Sequence, residues 1–229
     1  VCVALILAKD AKMRKPKAAV SWSGGKDSYL ALHRVADAFD VQALVTMFTE
    51  DGTRSRSHGL RPEVVARQAS LMKLPLVSGR GSWGSYEEEF KRLLRELATN
   101  GFSHVIFGDI YLDEHKAWVE RVCNECDLQA LEPLWEEQTA DLLQEFLATG
   151  AEARIVAIKA GLLDEKWLGR TLSEEVLSAF ESLGIDACGE RGEYHTVVFA
   201  SARMSAPLAL LEVGRLMHDG YWKLDLELH

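Results

Sequence analysis

No stretch of this 229-residue chain approaches the roughly 20 consecutive apolar residues that a membrane span needs. The run from Cys2 to Ala8 is apolar but too short, and it lacks the basic start of a signal peptide. Cysteine is scarce: four residues without secretory context exclude a disulfide framework and suggest reduced thiols in the cytoplasm. Positive charge is also in deficit, with 26 Lys and Arg against 35 Asp and Glu, a formal charge of −9. That balance counts against a nucleic-acid backbone as main partner, because phosphate contacts rest on Lys and Arg. There is no internal repeat and no low-complexity tract. What remains, 48% hydrophobic and 27% charged residues, is ordinary for a globular protein long enough to bury one core or two small ones.

Short apolar runs alternate with helical patterns. Strands are expected over 18–22, 41–49, 74–77 and 103–107. Helices are expected after Ser28, from Pro62 to about Lys73, from Tyr86 to Ala98, and from about Asp113 to Asp127. Repeated units of this length predict an α/β fold, a doubly wound parallel sheet with right-handed crossovers. Leu131 to Trp135, with Pro133 inside it, breaks the pattern, so residues 13–132 are expected to form one domain and 133–229 a second, smaller α/β domain. In the second, a helix is expected over 138–148, a strand over 153–159 and a loop over 161–170. A capping box at Thr171 and Glu174 is expected to open a helix to Leu183, with a strand over 197–200. The short tail after Ala200 offers no evident docking module. Met13, followed by Arg-Lys-Pro-Lys, reads as the true start, with residues 1–12 an upstream extension.

The most informative stretch is Ala18 to Leu32, where an apolar strand runs into Ser23-Gly24-Gly25-Lys26-Asp27-Ser28 and then a helix. Adjacent glycines let consecutive amide groups point into one concavity, and the helix start adds unpaired N–H groups and a positive dipole end. Ser23 and Ser28 add hydroxyls, Lys26 a cation and Asp27 a carboxylate suited to Mg²⁺. These are the parts of a polyphosphate site. Gly108-Asp109 ends a later strand and is expected beside the nucleotide. On the polar loop 50–59, Arg54, Arg56 and His58 face the ligand crevice if the strand before them is parallel. They would meet a phosphate, a substrate carboxylate or only solvent. Cys123 and Cys126 share a helical face and read as buried structural cysteines rather than a redox or metal pair. Glu190, Glu193 and His195 on a glycine-punctuated loop could hold Mg²⁺ or an amine, or act as a base.

Ser-Gly-Gly-Lys-Asp-Ser is neither the ordinary P-loop nor the dinucleotide fingerprint. It resembles the PP-loop of the ATP pyrophosphatase (adenine nucleotide α-hydrolase-like) superfamily, whose members bind ATP there and cleave between the α and β phosphates. Together with Gly108-Asp109, Asp164-Glu-Lys-Trp-Leu-Gly-Arg170 and Gly189-Glu-Arg-Gly-Glu-Tyr-His-Thr196, it is similar to the diphthine–ammonia ligase family over nearly all of residues 17–200. The resemblance implies a nucleotide-binding α/β domain, a smaller substrate domain and an active site between them. It also implies ATP-driven amidation, in which a carboxylate is adenylated, pyrophosphate leaves and ammonia displaces AMP. ATP would lie on Ser23 to Ser28, with the adenine beside Thr46, Met47 and Phe48 and with Gly108 and Asp109 nearby. Mg²⁺ would sit on Asp27. Lys26, Asp27, Glu190, Glu193 and His195 would serve the chemistry, and Arg56, His58, Trp167, Gly169 and Arg170 the acceptor.

Members that make diphthamide tend to read Gly-Glu-Tyr-Glu-Thr, where this chain has His195 in the Glu position. That departure leaves the acceptor open between protein-bound diphthine and a small molecule such as a cobalamin precursor. Lys26→Ala is expected to stop pyrophosphate release and leave folding intact. Two other readings stand beside the ligase: a PP-loop sulfur transferase acting on tRNA, and a non-catalytic ATP-binding module. A homo-oligomer is left open.

Overall fold

Ala18, Ala19 and Val20 have no solvent exposure at all, because the strand that carries them is covered on both faces. The structure is a computed structural model and describes residues 14–229, so the expected start at Met13 and the extension 1–12 lie outside the described residues. The first half alternates β1 (Lys17–Ser21), α1 (Lys26–Val35), β2 (Asp40–Phe48), α2 (Pro62–Leu71), β3 (Leu76–Arg80), α3 (Tyr86–Thr99), β4 (His104–Ile106), α4 (Asp113–Asn124) and β5 (Gln129–Leu131). All five strands are parallel, in the order β3-β2-β1-β4-β5. The chain winds one way from β1 to β3 and the other way from β4 to β5. The loops leaving β1 and β4 therefore diverge and open a crevice at the carboxyl ends of the strands.

The helices follow their apolar stripes. In α3, Phe90, Leu93, Leu94 and Leu97 are buried at helical spacing, and Glu87, Glu88 and Glu89 occupy the first turn, where the helix dipole favours acid. Pro62 takes the first position of α2, where its missing N–H costs no hydrogen bond. Cys123 lies in α4 and Cys126 just beyond it; both are free and buried, and burial pushes the Cys123 thiol up to about 12. They pack α4 against α3 and the sheet. Strand β5 was not expected. At three residues beside Pro133 it is too short to show a pattern, yet it pairs with β4 from His104↔Gln129 to Ile106↔Leu131.

The second half comprises α5 (Thr139–Ala148), β6 (Glu152–Lys159), a 3₁₀ turn at Glu165–Trp167, α6 (Glu174–Leu183), β7 (Tyr194–Ala200), β8 (Leu210–His218) and β9 (Tyr221–Leu228). Its four strands form an antiparallel sheet in the order β7-β6-β9-β8. The cap of α6 is Ser173, whose hydroxyl accepts the Val176 N–H at 3.3 Å; Thr171 instead bridges to Arg154 in the sheet. The tail after Ala200 is no loose end, because β8 and β9 complete this sheet. They are joined by Asp219-Gly220, both at positive φ (50° and 78°), as a tight hairpin of primed type requires.

The second sheet packs against the β1–α1 loop and the start of α2. Val198 of β7 donates its N–H to the Gly24 carbonyl at 2.9 Å, and Arg61 reaches Asp225 of β9 through two nitrogens at 2.8 Å each. No helix among the described residues is long and apolar enough to cross a membrane.

Candidate active site

A cleft of about 560 Å³ opens over the carboxyl ends of the parallel strands. Ser23, Asp27 and Ser28 line it from the loop between β1 and α1, Thr46 and Met47 from β2, Arg56 and His58 from the following loop, and Gly108 and Asp109 from the end of β4. The loop is a preformed cradle. The Ser23 and Ser28 hydroxyls lie 3.1 Å apart, the Gly25 N–H donates to Ser23 Oγ at 3.2 Å, and Ser28 Oγ donates to the Gly25 carbonyl at 3.0 Å. Gly24 adopts φ +86°, and a Cβ there would fall 2.8 Å from Gln68 Oε1.

Buried polar groups behind the loop hold it. Gln68 is fully buried and fully used: its amide nitrogen donates to the Gly24 and Val198 carbonyls at 3.0 and 2.7 Å, and its oxygen accepts the Trp22 indole N–H at 3.1 Å. The Lys26 N–H donates to Thr196 Oγ1 of β7 at 3.1 Å. The second sheet therefore forms the rear wall of the phosphate loop, and two of the loop's amides already have protein partners.

Lys26 does not line the cleft. Its side chain, only 3% exposed, runs beneath the loop and donates to the Cys188 carbonyl and to Asp27 Oδ2, passing over the Tyr194 ring at 4.9 Å. Burial disfavours the ammonium, but Asp27 and the Tyr194 and Cys188 groups outweigh it and hold its pKa above the ordinary lysine value. Asp27 itself is pushed up by burial, against the pull of Lys26. Lys26, expected to serve the chemistry, is a buried strut beneath the loop, and its buried pairing with Asp27 argues against the expectation that Lys26→Ala leaves folding intact.

The loop after α6 comes to the same place from the other side. Glu190 accepts the Ile110 N–H at 3.0 Å; burial raises its carboxyl to about 7, with Asp27 and Asp109 adding to the effect. Glu193 is buried and turned onto its own loop, where it accepts the Arg191 N–H at 3.0 Å, so it serves the loop rather than the cleft. The His58 and His195 rings lie 4.7 Å apart. His58 Nδ1 sits 2.7 Å from the Thr196 carbonyl, which can only accept, so Nδ1 carries the proton and Nε2 keeps its lone pair. Burial lowers the His58 pKa to about 4 and takes His195 well below its usual value, so both are neutral at pH 7.

Other expected residues are used differently. Thr46 lines the cleft, but its hydroxyl is spent on the Trp22 carbonyl at 2.6 Å. Phe48 packs into the core on the opposite face from Met47. Asp109 pairs with His115 at 3.2 Å, and that hydrogen bond raises the imidazole pKa. Trp167, Gly169 and Arg170 lie outside the cleft. Trp167 is buried against Phe180, Arg170 stacks on Trp167, and the Gly169 N–H and Arg170 carbonyl pair with Ile155 on the far side of β6 from β7.

The sequence reading missed one wall altogether. Trp83, Tyr86, Phe90 and Trp118 line the cleft on the α3–α4 side, with Tyr86 and Trp118 5.8 Å apart and Phe90 and Trp118 5.5 Å apart. Trp83, alone among small residues in Gly-Ser-Trp-Gly-Ser, was the available signal. Among the described residues no group of three or more His, Cys, Asp or Glu is placed to hold a metal ion by itself. Asp27 facing the cleft beside two hydroxyls instead suits a Mg²⁺ ion that arrives on a phosphate chain.

Known proteins were compared with this chain. The family model described as diphthamide synthase N-terminal domain matches residues 16–130, and the one described as diphthamide synthase C-terminal domain matches residues 138–226. A diphthine–ammonia ligase of Danio rerio is 36% identical over an alignment of 202 positions that covers 76% of this chain and 78% of that one. One from Mus musculus is 30% identical over an alignment of 239 positions that covers 85% of this chain and 89% of that one. Among solved structures, the crystal structure of a predicted subunit of tRNA methyltransferase from Methanocaldococcus jannaschii aligns with TM-score 0.44 at 16% identity, covering 82% of this chain and 98% of that one.

Proposed function

The chain belongs to the diphthamide synthase family, and from that premise we propose that it is an ATP-dependent amide ligase of diphthine–ammonia ligase type. Residues 13–132 would bind the nucleotide and residues 133–229 the acceptor, in the cytoplasm. One observation carries the reading: Ser23, Asp27, Ser28, Gly108 and Asp109 line one cleft at the switch point of a parallel sheet.

An acceptor carboxylate oxygen attacks the α-phosphorus, the bond to the bridging oxygen breaks, and pyrophosphate leaves. Ammonia then attacks the acyl carbon, AMP departs and the nitrogen loses a proton. Ser23, Ser28 and the start of α1 bind the departing pyrophosphate, and the buried Lys26 charge beneath them offsets part of its own. Mg²⁺, held by Asp27 and the phosphates, would supply further neutralisation of that charge. Thr46, Met47, Tyr86, Phe90 and Trp118 take the base, and Arg56 and His58 meet an anionic group of the acceptor or the nucleotide. His195, neutral behind His58, orders that imidazole rather than serving as a base. The acceptor is a carboxylic acid, either protein-bound diphthine or a small molecule.

The first test is the product. ATP with ammonia and a carboxylate panel should give AMP and pyrophosphate in equal amounts; formation of ADP would overturn the assignment.

Glu190 is the base for the second half-reaction. Its carboxyl, raised to about 7, loses its proton as pH climbs through neutrality, so amide formation should rise across that range. Glu190→Gln should remove that inflection and slow the ammonia-dependent step by about 100-fold, in the range of positioned general bases. An unchanged pH profile in the variant would remove Glu190 from the mechanism.

A further inference from the structure

Arg56 combines two features that do not belong to a finished structure. Its Nε and Nη2, the edge of the guanidinium that grips an oxyanion through two parallel bonds, are buried without any hydrogen-bond partner. Its flat face lies 4.2 Å from the centre of the Trp83 ring, which is itself 76% exposed at the tip of the loop between β3 and α3. A buried donor pair with no acceptor is unfavourable, and native proteins rarely leave one without a use. The backbone on either side is fixed: the Arg56 N–H donates to the Met47 carbonyl at 3.1 Å, and Ser55 bridges to Phe48.

Trp83 is the exposed member of the stack. Trp83 stands between Gly81 and Gly84, in a turn where the Ser82 and Ser85 hydroxyls lie 3.2 Å apart and the Gly81 N–H donates to the Phe48 carbonyl at 3.2 Å, and a Cβ on Gly84 would meet nothing closer than Ser82 Oγ at 3.8 Å. Both residues line the cleft that holds Asp27 and Gly108.

We propose that Arg56 is an oxyanion clamp stacked on Trp83, and that an anionic ligand taking the free guanidinium edge shifts the guanidinium and with it the indole. The ligand is a planar or tetrahedral oxyanion, and two sources carry one: the phosphate chain of the nucleotide and the carboxylate of the acceptor. The inference rests on the ligase reading for that choice of anions. The stack on Trp83 holds the fork in plane while the site is empty, which Lys in place of Arg would not reproduce.

The test uses the full chain and the Trp83 share of its emission, taken as wild type minus Trp83→Phe. Inorganic pyrophosphate and glutarate are titrated separately, and ATP binding to the wild type is measured by calorimetry. One of the two anions should shift the Trp83 emission, and Arg56→Lys and Arg56→Gln should each weaken that anion roughly 10- to 100-fold. A response to pyrophosphate identifies the nucleotide as the source, and a response to glutarate the acceptor. If ATP binds while Trp83 stays silent to both anions, or if both Arg56 variants bind them as the wild type does, the clamp is overturned and the ligase reading stands. Loss of ATP affinity in the wild type would instead remove the nucleotide site itself.

Discussion

Gly108→Ala should lower pyrophosphate formation by at least about 100-fold, the loss expected when a reacting group moves by roughly 1 Å. A Cβ on Gly108 would lie 2.8 Å from the Asp27 carbonyl carbon, 2.9 Å from the Ser28 nitrogen and 3.0 Å from the Asp27 oxygen. All three are backbone atoms of the first turn of α1, so no side chain can rotate aside. Nor can β4 retreat, because Phe107 donates its N–H to the Leu131 carbonyl of β5 at 2.8 Å. The methyl would push Asp27 and Ser28 off the positions from which they face the phosphates. Overpacking of this kind also costs about 1–3 kcal/mol of stability. Gly214→Ala is the matched control, since a Cβ there meets nothing within 4 Å, and it should leave turnover unchanged with stability within about 0.5 kcal/mol. Wild-type turnover in a folded Gly108→Ala protein would mean that the start of α1 is not where the phosphates react.

Why Gly108 stood out in the sequence and Lys26 misled is a matter of range. A glycine at the end of an apolar strand is a local signal, and the parallel sheet was legible through the same local alternation of buried runs and amphipathic helices. Strand β5 was lost because three residues carry no periodicity. The hairpin of β8 and β9 is different: Asp219-Gly220 between Met217 and Trp222 is a strong short-range hairpin signal that the sequence reading did not use.

The site was legible where its residues are consecutive and obscure where the two sheets meet. Ser23, Asp27, Ser28, Gly108 and Asp109 face one cleft, as their pattern implied. Thr196 and Cys188, by contrast, act on the loop through a hydroxyl and a carbonyl from more than 160 positions away, a separation that residue spacing alone cannot bridge. Gln68 holds the loop from within an apolar helix face. The Trp167-Leu-Gly-Arg170 segment shows the converse. Its pattern looked functional, yet these residues pair with β6 beyond the reach of β9 and build the core against Phe180.

Lys26→Ala should therefore cost stability as well as activity. The ammonium is the partner of the Asp27 carboxylate at 2.9 Å and of the Cys188 carbonyl, and removing it leaves both without their donor. Breaking a buried pair from one side costs about 3–5 kcal/mol, and because Asp27 keeps 26% exposure the expected loss here is about 2–4 kcal/mol. For a chain of this size that corresponds to a melting temperature lower by roughly 5–15 °C. The deficit has a pH signature. Burial already raises the Asp27 pKa, and loss of the cation raises it further, so the unpaired charge is expelled by protonation as pH falls and the gap to wild type narrows in acid. Lys26→Ala combined with Asp27→Asn should be more stable at neutral pH than Lys26→Ala alone, because the double variant buries no unpaired charge. A lysine serving only as a phosphate ligand would give the opposite pattern: an inactive Lys26→Ala protein that melts with the wild type at every pH, and a second substitution that restores nothing.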